Sequence, residues 1–167
     1  DIGSSFDVYA QAYEGGVTEA TGAGTGVECW IGYSTIDATQ LTDFEGSGWT
    51  WVAASFSSQV GSNDEFVAEI GTGLSATGTY YYVSRWKLGL GSYTYGGYNG
   101  GAWDGSSNTS GVLTVNDRAM DYANVQFPAS GSIIIGDAFD VYAQGFESGV
   151  TEAAGAGADV ECWIGYS

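Results

Sequence analysis

The chain of 167 residues lacks histidine and contains a single proline. Without histidine, the commonest general base and metal ligand is missing, and Ser-His-Asp or Cys-His arrangements cannot form. The carboxylates occur in polar, turn-like stretches that do not favour acid–base catalysis. One proline and no Gly-X-Y period exclude a collagen triple helix. We therefore expect a globular chain that is not an enzyme.

Basic residues are also scarce. Arg85, Lys87 and Arg118 stand against 20 acidic residues, which gives a net charge of −17. Nucleic-acid binding requires clustered Lys and Arg, and anionic lipid would be repelled, so neither partner is expected. The longest aliphatic run, at residues 133–135, is far too short to span a bilayer and predicts no membrane insertion.

The acidic residues allow two interpretations. They form a solvated surface suited to a salty or secreted setting, or some of them bind divalent cations such as Ca²⁺. The sequence contains no D-x-[DN]-x-[DN]-G loop, so the calcium candidates are carboxylates beside a glycine-rich loop and in a turn. They are Glu14, Glu19, Asp64 and Glu65. No other cofactor is expected.

The chain repeats itself. Residues 6–34 and 139–167 align without gaps at an offset of 133 residues and differ at six of 29 positions. A shared fold does not require identity at positions such as Gln11 and Gln144, so the pattern indicates recent duplication of one module. The second copy stops at Ser167, short of a full unit. We therefore expect this chain to be a segment of a tandem array with a period of 133 residues.

Each unit contains one cysteine, because Cys29 and Cys162 occupy the same position in the two copies. Each lies in the sequence V-E-C-W-I-G-Y, and Cys29 falls on the same side of the predicted strand as Val27 and Ile31. Both cysteines are predicted to be buried free thiols that pack as small apolar groups. Pairing between chains is the alternative.

Short stretches rich in Tyr, Trp, Val and Thr alternate apolar and polar residues between glycine-rich turns. This pattern predicts an all-β, antiparallel sandwich. The predicted strands are residues 6–14, 26–33, 49–56, 65–70, 79–88, 111–116, 122–127, 139–147 and 160–166.

The strand at residues 122–127 suggests how the units are divided. If this strand opens each unit, residues 1–118 are a sandwich repeat that lacks its first strand. Residues 119–167 are then the first three strands of the next repeat. Incomplete sandwiches expose sheet edges, so each piece is expected to be completed by a neighbouring repeat or subunit.

Several motifs support a family resemblance: FDVYAQ, GVTEA followed by GAG, WTWVAASF, VGSNDEFVAEIG, GTYYYVSRW and GVLTVN. Together they resemble a repeated immunoglobulin-like module of large secreted proteins of the Bacteroidetes, many of which are exported by the type IX system. The resemblance implies an immunoglobulin-like sandwich and an extracellular or cell-surface location. Such modules are carried by adhesin-like proteins and by polysaccharide-degrading enzymes, so the resemblance leaves the function open.

One glycine-rich segment, at residues 93–105, contains four aromatic residues. Sugar rings stack on flat aromatic faces, which makes this segment a candidate glycan-binding site. Alternatively, the rings fold over one end of the sandwich or pack against the next repeat. The candidate glycan-binding residues are Tyr93, Tyr95, Tyr98, Asn99, Trp103 and Asp104.

These features favour a structural and adhesive function, in which near-identical sandwiches form a secreted rod or fibre at the cell surface. The expected partners are neighbouring repeats in a homo-oligomeric or fibrous assembly, and surface glycans. The alternative is a carbohydrate-binding accessory module of a secreted polysaccharide-degrading enzyme. Repeat number distinguishes the two, because a fibre carries many copies and an enzyme carries few.

Overall fold

The structure, a computed structural model, describes residues 1–98, 100–104, 109–117 and 119–167. The chain divides into two compact units, Asp1–Asp117 (unit 1) and Arg118–Ser167 (unit 2). Within the described residues, the regular structure is antiparallel β-strand plus one 3₁₀ helix, Leu41–Glu45, and there is no α-helix. The all-β, antiparallel class predicted from the sequence is therefore confirmed. No helix in these ranges is long and apolar enough to cross a membrane.

In the described part of unit 1, eight strands form two sheets. The smaller sheet has the strand order β1-β5-β4. In the larger sheet, β3 pairs with β2 and β2 with β6, while β7 and β8 both pair with the opposite edge of β6. The strands are β1 Asp7–Ala12, β2 Val27–Ser34, β3 Thr50–Ala53, β4 Ser55–Val60, β5 Asn63–Glu69, β6 Gly78–Leu88, β7 Thr94–Gly96 and β8 Gly111–Val115.

The main hydrophobic core lies between these two sheets. Alternation along the strands buries Phe66 and Ala68 of β5 and Cys29 and Ile31 of β2. Trp86 of β6 joins them, with its ring centroid 5.4 Å from that of Phe66. Full burial of a Phe or Ile side chain contributes about 1.5–3 kcal/mol. Apolar faces of two antiparallel sheets thus meet across one core, which is consistent with a β-sandwich.

The structure divides the segment predicted as one strand at residues 49–56 between the two sheets. Strand β3 pairs with β2, whereas β4 pairs with β5. The chain changes sheets at Ala54, whose N–H donates to the Cys29 carbonyl at 2.9 Å. The single-strand prediction is therefore wrong. The crossing lies at the end of a run of four apolar residues, 51–54, that contains no turn residue, so the local pattern did not mark it.

Unit 2 contains one antiparallel pair among its described residues, formed by β9 (Tyr122–Phe127) and β10 (Tyr142–Phe146). The strand predicted at residues 160–166 is absent. Its counterpart in unit 1 is β2, which lies between β3 and β6. The 167-residue chain holds no second copy of either partner strand, which explains the difference. The predicted boundary residue, Arg118, lies outside the described residues.

The two copies of the repeat form the same turn after β1 and β10. The Glu14 N–H donates to Thr18 Oγ1 at 2.9 Å, and the Glu147 N–H donates to Thr151 Oγ1 at 3.0 Å. In both copies, the same threonine hydroxyl also donates back to the glutamate carbonyl. The repeated sequence therefore produces the same local structure in both units.

Candidate functional site

A groove of about 730 Å³ opens along one side of unit 1. Residues 8–14, on β1 and just after it, form part of its lining, and residues 94–98, which include β7, form another part. Core-facing residues of the larger sheet, among them Ile31, Tyr82 and Trp86, also line it. We refer to this feature, which is bounded by both sheets, as the β1 groove.

Strand β1 presents an open edge, because β5 is its only partner among the described strands. The Ile70 N–H donates to the Phe6 carbonyl at 3.0 Å, so the backbone groups of Phe6 point towards the β5 side. Donor and acceptor directions alternate along an antiparallel ladder. The backbone N–H and C=O groups of Tyr9 and Gln11 therefore point away from β5. Unpaired backbone groups of this kind are a template for another strand.

Unit 2 shows what a strand of this sequence pairs with. Strand β10 is the repeat copy of residues 9–13, and it pairs with β9. In that pair, Ala143 lies opposite Val125 and Gly145 lies opposite Ala123. Val125 is 63% exposed, so its apolar side chain is uncovered there. In unit 2 the strand of this sequence therefore has β9 as its partner, whereas β1 has no partner of that kind among the described strands.

The other face of the larger sheet carries a second apolar cluster, which we call the outer aromatic cluster. Its rings are Phe44, Trp49, Trp51, Tyr95 and Trp103. Phe44, on the 3₁₀ helix, is central: its ring centroid lies 4.6 Å from that of Tyr95, in a stacked arrangement, and 5.1 Å from that of Trp49. Such ring pairs add about 0.5–1.5 kcal/mol beyond simple burial.

The 3₁₀ helix that positions Phe44 is fixed by the Asp43 carboxylate. It accepts hydrogen bonds from the Thr39 N–H at 2.8 Å and from the Gln40 N–H at 3.2 Å. These bonds stabilise the ionised form, and the bond from Thr39 makes the largest contribution to lowering the pKa of Asp43. The turn therefore holds Phe44 over the sheet, where it is 2% exposed.

Beside the outer aromatic cluster, the Arg85 guanidinium lies among three rings. Its Cζ is 4.1 Å from the ring centroid of Trp51, 4.4 Å from that of Tyr93 and 4.9 Å from that of Trp30. Lys87 Nζ lies 5.6 Å from the Tyr93 centroid. Arg85 Nε is buried and has no hydrogen-bond partner. A cleft of about 660 Å³, which we call the Arg85 cleft, is lined by Arg85, Lys87, Trp51 and Tyr93.

The structure separates the six predicted glycan-binding residues. Tyr95 and the buried Trp103 belong to the outer aromatic cluster, as in the interpretation in which the rings fold over the sandwich. Tyr93 is 45% exposed and lines the Arg85 cleft. Tyr98 and Asp104 are exposed, and Asn99 lies outside the described residues.

The four calcium candidates have different surroundings. Asp64 was predicted to lie in a solvated turn, but it is fully buried at the start of β5 and accepts from the Gly24 N–H at 2.7 Å. Glu65 accepts from Gln11 and Ser58, and Glu19 accepts from the Tyr13 hydroxyl, so those carboxylates have protein donors. Among the described residues, no group of three or more acidic, His or Cys side chains is placed to hold a metal ion.

The two cysteines differ. Cys29 is 3% exposed in the main core, and burial raises the pKa of its thiol to about 12. Cys162 was also predicted to be buried, but it is exposed. The sequence placed both on the core face of a strand. Only unit 1 supplies the facing sheet that covers such a face, since unit 2 lacks copies of β3 to β8.

Sequence reasoning treated Arg85 and Lys87 as isolated charges and missed the Arg85 cleft. The available signal was their spacing: two of only three basic residues are two positions apart on one predicted strand, so they share a face. Comparisons of the chain with protein-family models, with curated proteins and with solved structures found no match.

Proposed function

We propose that this chain is a structural, adhesive segment of a repetitive secreted fibre, in which a strand equivalent to β9 completes each sandwich. The observation that carries the proposal is the β1 groove with its open β1 edge. Unit 2 supports it, because there a strand of the β1 sequence is paired with β9.

Repeat equivalence gives the register of the added strand. Subtracting the offset of 133 residues from the β9–β10 pairing places Val125 opposite Ala10, and Ala123 opposite Ala12. Ala10 and Ala12 pack against the main core, so cross-strand partners on the same face would point into the groove. Small residues on β1 leave room there for the valine side chain.

The proposal also accounts for the apolar surface of unit 2. Large apolar side chains on its strands and loops are exposed, among them Val125, Phe127, Phe139, Trp163 and Ile164. A soluble monomer rarely leaves such a large fraction of its apolar groups uncovered. In an array, the following segment would supply the copies of β3 to β8, and the same core would form over these residues.

The kind of array follows from the sequence motifs. They resemble immunoglobulin-like modules of secreted Bacteroidetes proteins, and we propose that topology and an extracellular or cell-surface location for this chain. Near-identical copies give every junction between units the same geometry, which favours a periodic fibre. The net charge of −17 keeps adjacent fibres apart.

The test adds the proposed strand to unit 1. Residues 119–133 are placed directly ahead of Asp1, which preserves the spacing that β9 has ahead of the second copy. We expect the free energy of unfolding of unit 1 to rise by about 1.5–3 kcal/mol, since Val125 becomes buried. In hydrogen exchange, the amides of Tyr9 and Gln11 should become protected.

Two variants of the added strand serve as matched controls. Val125→Asp in that strand should abolish the gain, because it would place a carboxylate over the core. Asn124→Asp, one residue away on the other face, should retain most of the gain. An unchanged unfolding free energy together with unprotected Tyr9 and Gln11 amides would show that the β1 groove does not take this strand.

A further inference from the structure

The Arg85 cleft concentrates positive charge in an acidic protein. Arg85 and Lys87 are the only basic residues of unit 1, and both line this cleft. The 20 acidic residues of the chain make a local cationic site unusual. The two cations outnumber the one carboxylate in the cleft lining, that of Glu45, which favours an anionic ligand.

Arg85 is also held in place before any ligand arrives. Three rings surround the guanidinium at 4.1–4.9 Å, an arrangement that fixes its position by cation–π contacts. Its Nε is shielded from solvent without a hydrogen-bond partner. A poorly solvated cation attracts a carboxylate more strongly than one in open water does. Guanidinium and carboxylate also match each other in planar, two-bond geometry.

The rest of the lining indicates the kind of molecule that carries the carboxylate. Flat aromatic side chains, including Trp51, Tyr93 and Tyr95, line the cleft together with the polar Ser92 and Glu45. Aromatic faces suit the C–H faces of a pyranose ring, and the polar groups suit its hydroxyls. The volume of about 660 Å³ falls within the range of small-molecule sites.

We propose that the Arg85 cleft binds an acidic saccharide, with the carboxylate of a uronic acid residue on Arg85 and Lys87 and its ring against the aromatic wall. A nucleic acid or another dense polyanion is disfavoured by the net charge of −17. A uronate carries one charge per sugar and meets less repulsion. This site would give the proposed fibre a glycan ligand, but it does not depend on the array.

The test uses the full chain with trigalacturonate as the probe and the neutral galactotriose as its control. Binding is followed by calorimetry and by the tryptophan fluorescence of the cleft. We expect trigalacturonate to bind with an affinity that falls as salt is added, and galactotriose to bind at least about tenfold more weakly.

Variants connect the binding to the cleft. Lys87→Gln and Arg85→Gln should each weaken trigalacturonate binding by about tenfold. Glu28 lies directly opposite Lys87 on β2, so Glu28→Gln should strengthen binding by removing a competing carboxylate. Lys87→Gln keeps the three-ring contact of Arg85 intact, so its effect cannot be ascribed to loss of that packing.

Three outcomes would overturn the proposal. One is the absence of trigalacturonate binding to a chain whose fold is intact. Another is equal binding of galactotriose, which would remove the role of charge. The third is equal binding of an oligoglutamate peptide, which would show that the cleft recognises carboxylates on any carrier.

Discussion

At the scale of single residues, Glu69 shows how one half-buried carboxylate organises a strand end. Glu69 Oε1 accepts hydrogen bonds from the Phe6 N–H at 3.0 Å, the Gly71 N–H at 2.6 Å and the Thr72 N–H at 2.9 Å. The Thr72 hydroxyl donates to its other oxygen. These donors, of which the Thr72 hydroxyl has the largest effect, lower the pKa of Glu69 to about 2.

This lowered pKa predicts a pH dependence of stability. The folded pKa lies below the ordinary glutamate value, so the contribution of Glu69 is complete above about pH 4.5 and is lost as the pH falls towards about 2. Glu69→Gln should therefore be less stable than the parent at pH 7, and the difference should shrink between pH 4.5 and 2. Urea unfolding at several pH values measures this.

Thr72→Val provides a partial version of the same change. It removes one donor to Glu69 and should raise the pKa of Glu69 towards its ordinary value, which weakens the pH dependence without abolishing it. A Glu69→Gln deficit of the same size at pH 7 and at pH 2 would contradict the explanation by ionised hydrogen bonds.

At the scale of strands, local pattern predicted most of the elements, and tertiary context decided the rest. The alternation in β5 was visible because that strand buries one face. Strand β7 was missed because Thr94–Gly96 lies in a glycine-rich stretch that is typical of a loop. The crossing at Ala54 and the absence of a strand at residues 160–166 both depend on partner strands, which a local pattern does not reveal.

The Arg85 cleft was hidden for a related reason. Trp30 and Arg85 are opposite one another on β2 and β6, and Trp51 reaches the same place from β3. These residues are far apart in sequence and meet only through sheet register. The sequence predicted aromatic richness near Tyr93, but it did not predict which rings would surround the cation.

The pairing of β2 with β3 requires a glycine at position 32 of β2. Gly32 lies opposite Trp51 of β3, and a Cβ at Gly32 would come within 2.5 Å of the Trp51 ring. Gly32→Ala should therefore push Trp51 out of the outer aromatic cluster and lower the free energy of unfolding by about 1–3 kcal/mol. Urea unfolding of the variant measures the loss.

The repeat supplies a matched control for this substitution. Gly165 is the copy of Gly32 in unit 2, and a Cβ there would meet nothing within 4 Å. Gly165→Ala should leave the unfolding of unit 1 unchanged. Equal effects of the two substitutions would mean that contact with the Trp51 ring is not the reason why position 32 requires glycine.

At the scale of the whole molecule, the same sequence has two different environments. Residues 27–34 form β2 in the core of unit 1, whereas their copy at residues 160–167 has no strand partner in unit 2. Local structure survives without the partners, as the shared turn shows, but strand formation and burial do not. Whether this segment forms a strand therefore depends on the partner strands beside it as much as on its own sequence.

The reactivity of the two cysteines can be used to measure this difference in environment. Cys29 is buried with a pKa of about 12, so at pH 8 its thiolate is scarce and shielded, while Cys162 is exposed. We expect a maleimide reagent to modify Cys162 rapidly and Cys29 only when unit 1 unfolds. If the chain is extended after Ser167 with residues 35–118, the second copy gains its missing partner strands. Cys162 should then react as slowly as Cys29.

The extension also separates array completion from simple chain lengthening. The same 84 added residues with Phe66→Asp and Trp86→Asp in the new segment should leave Cys162 reactive, because the facing core cannot form over it. Cys29 in unit 1 remains an internal reference in every sample. Fast labelling of Cys162 in the unmodified extension, with Cys29 still protected, would mean that the following repeat does not complete the sandwich and that the fibre proposal is wrong.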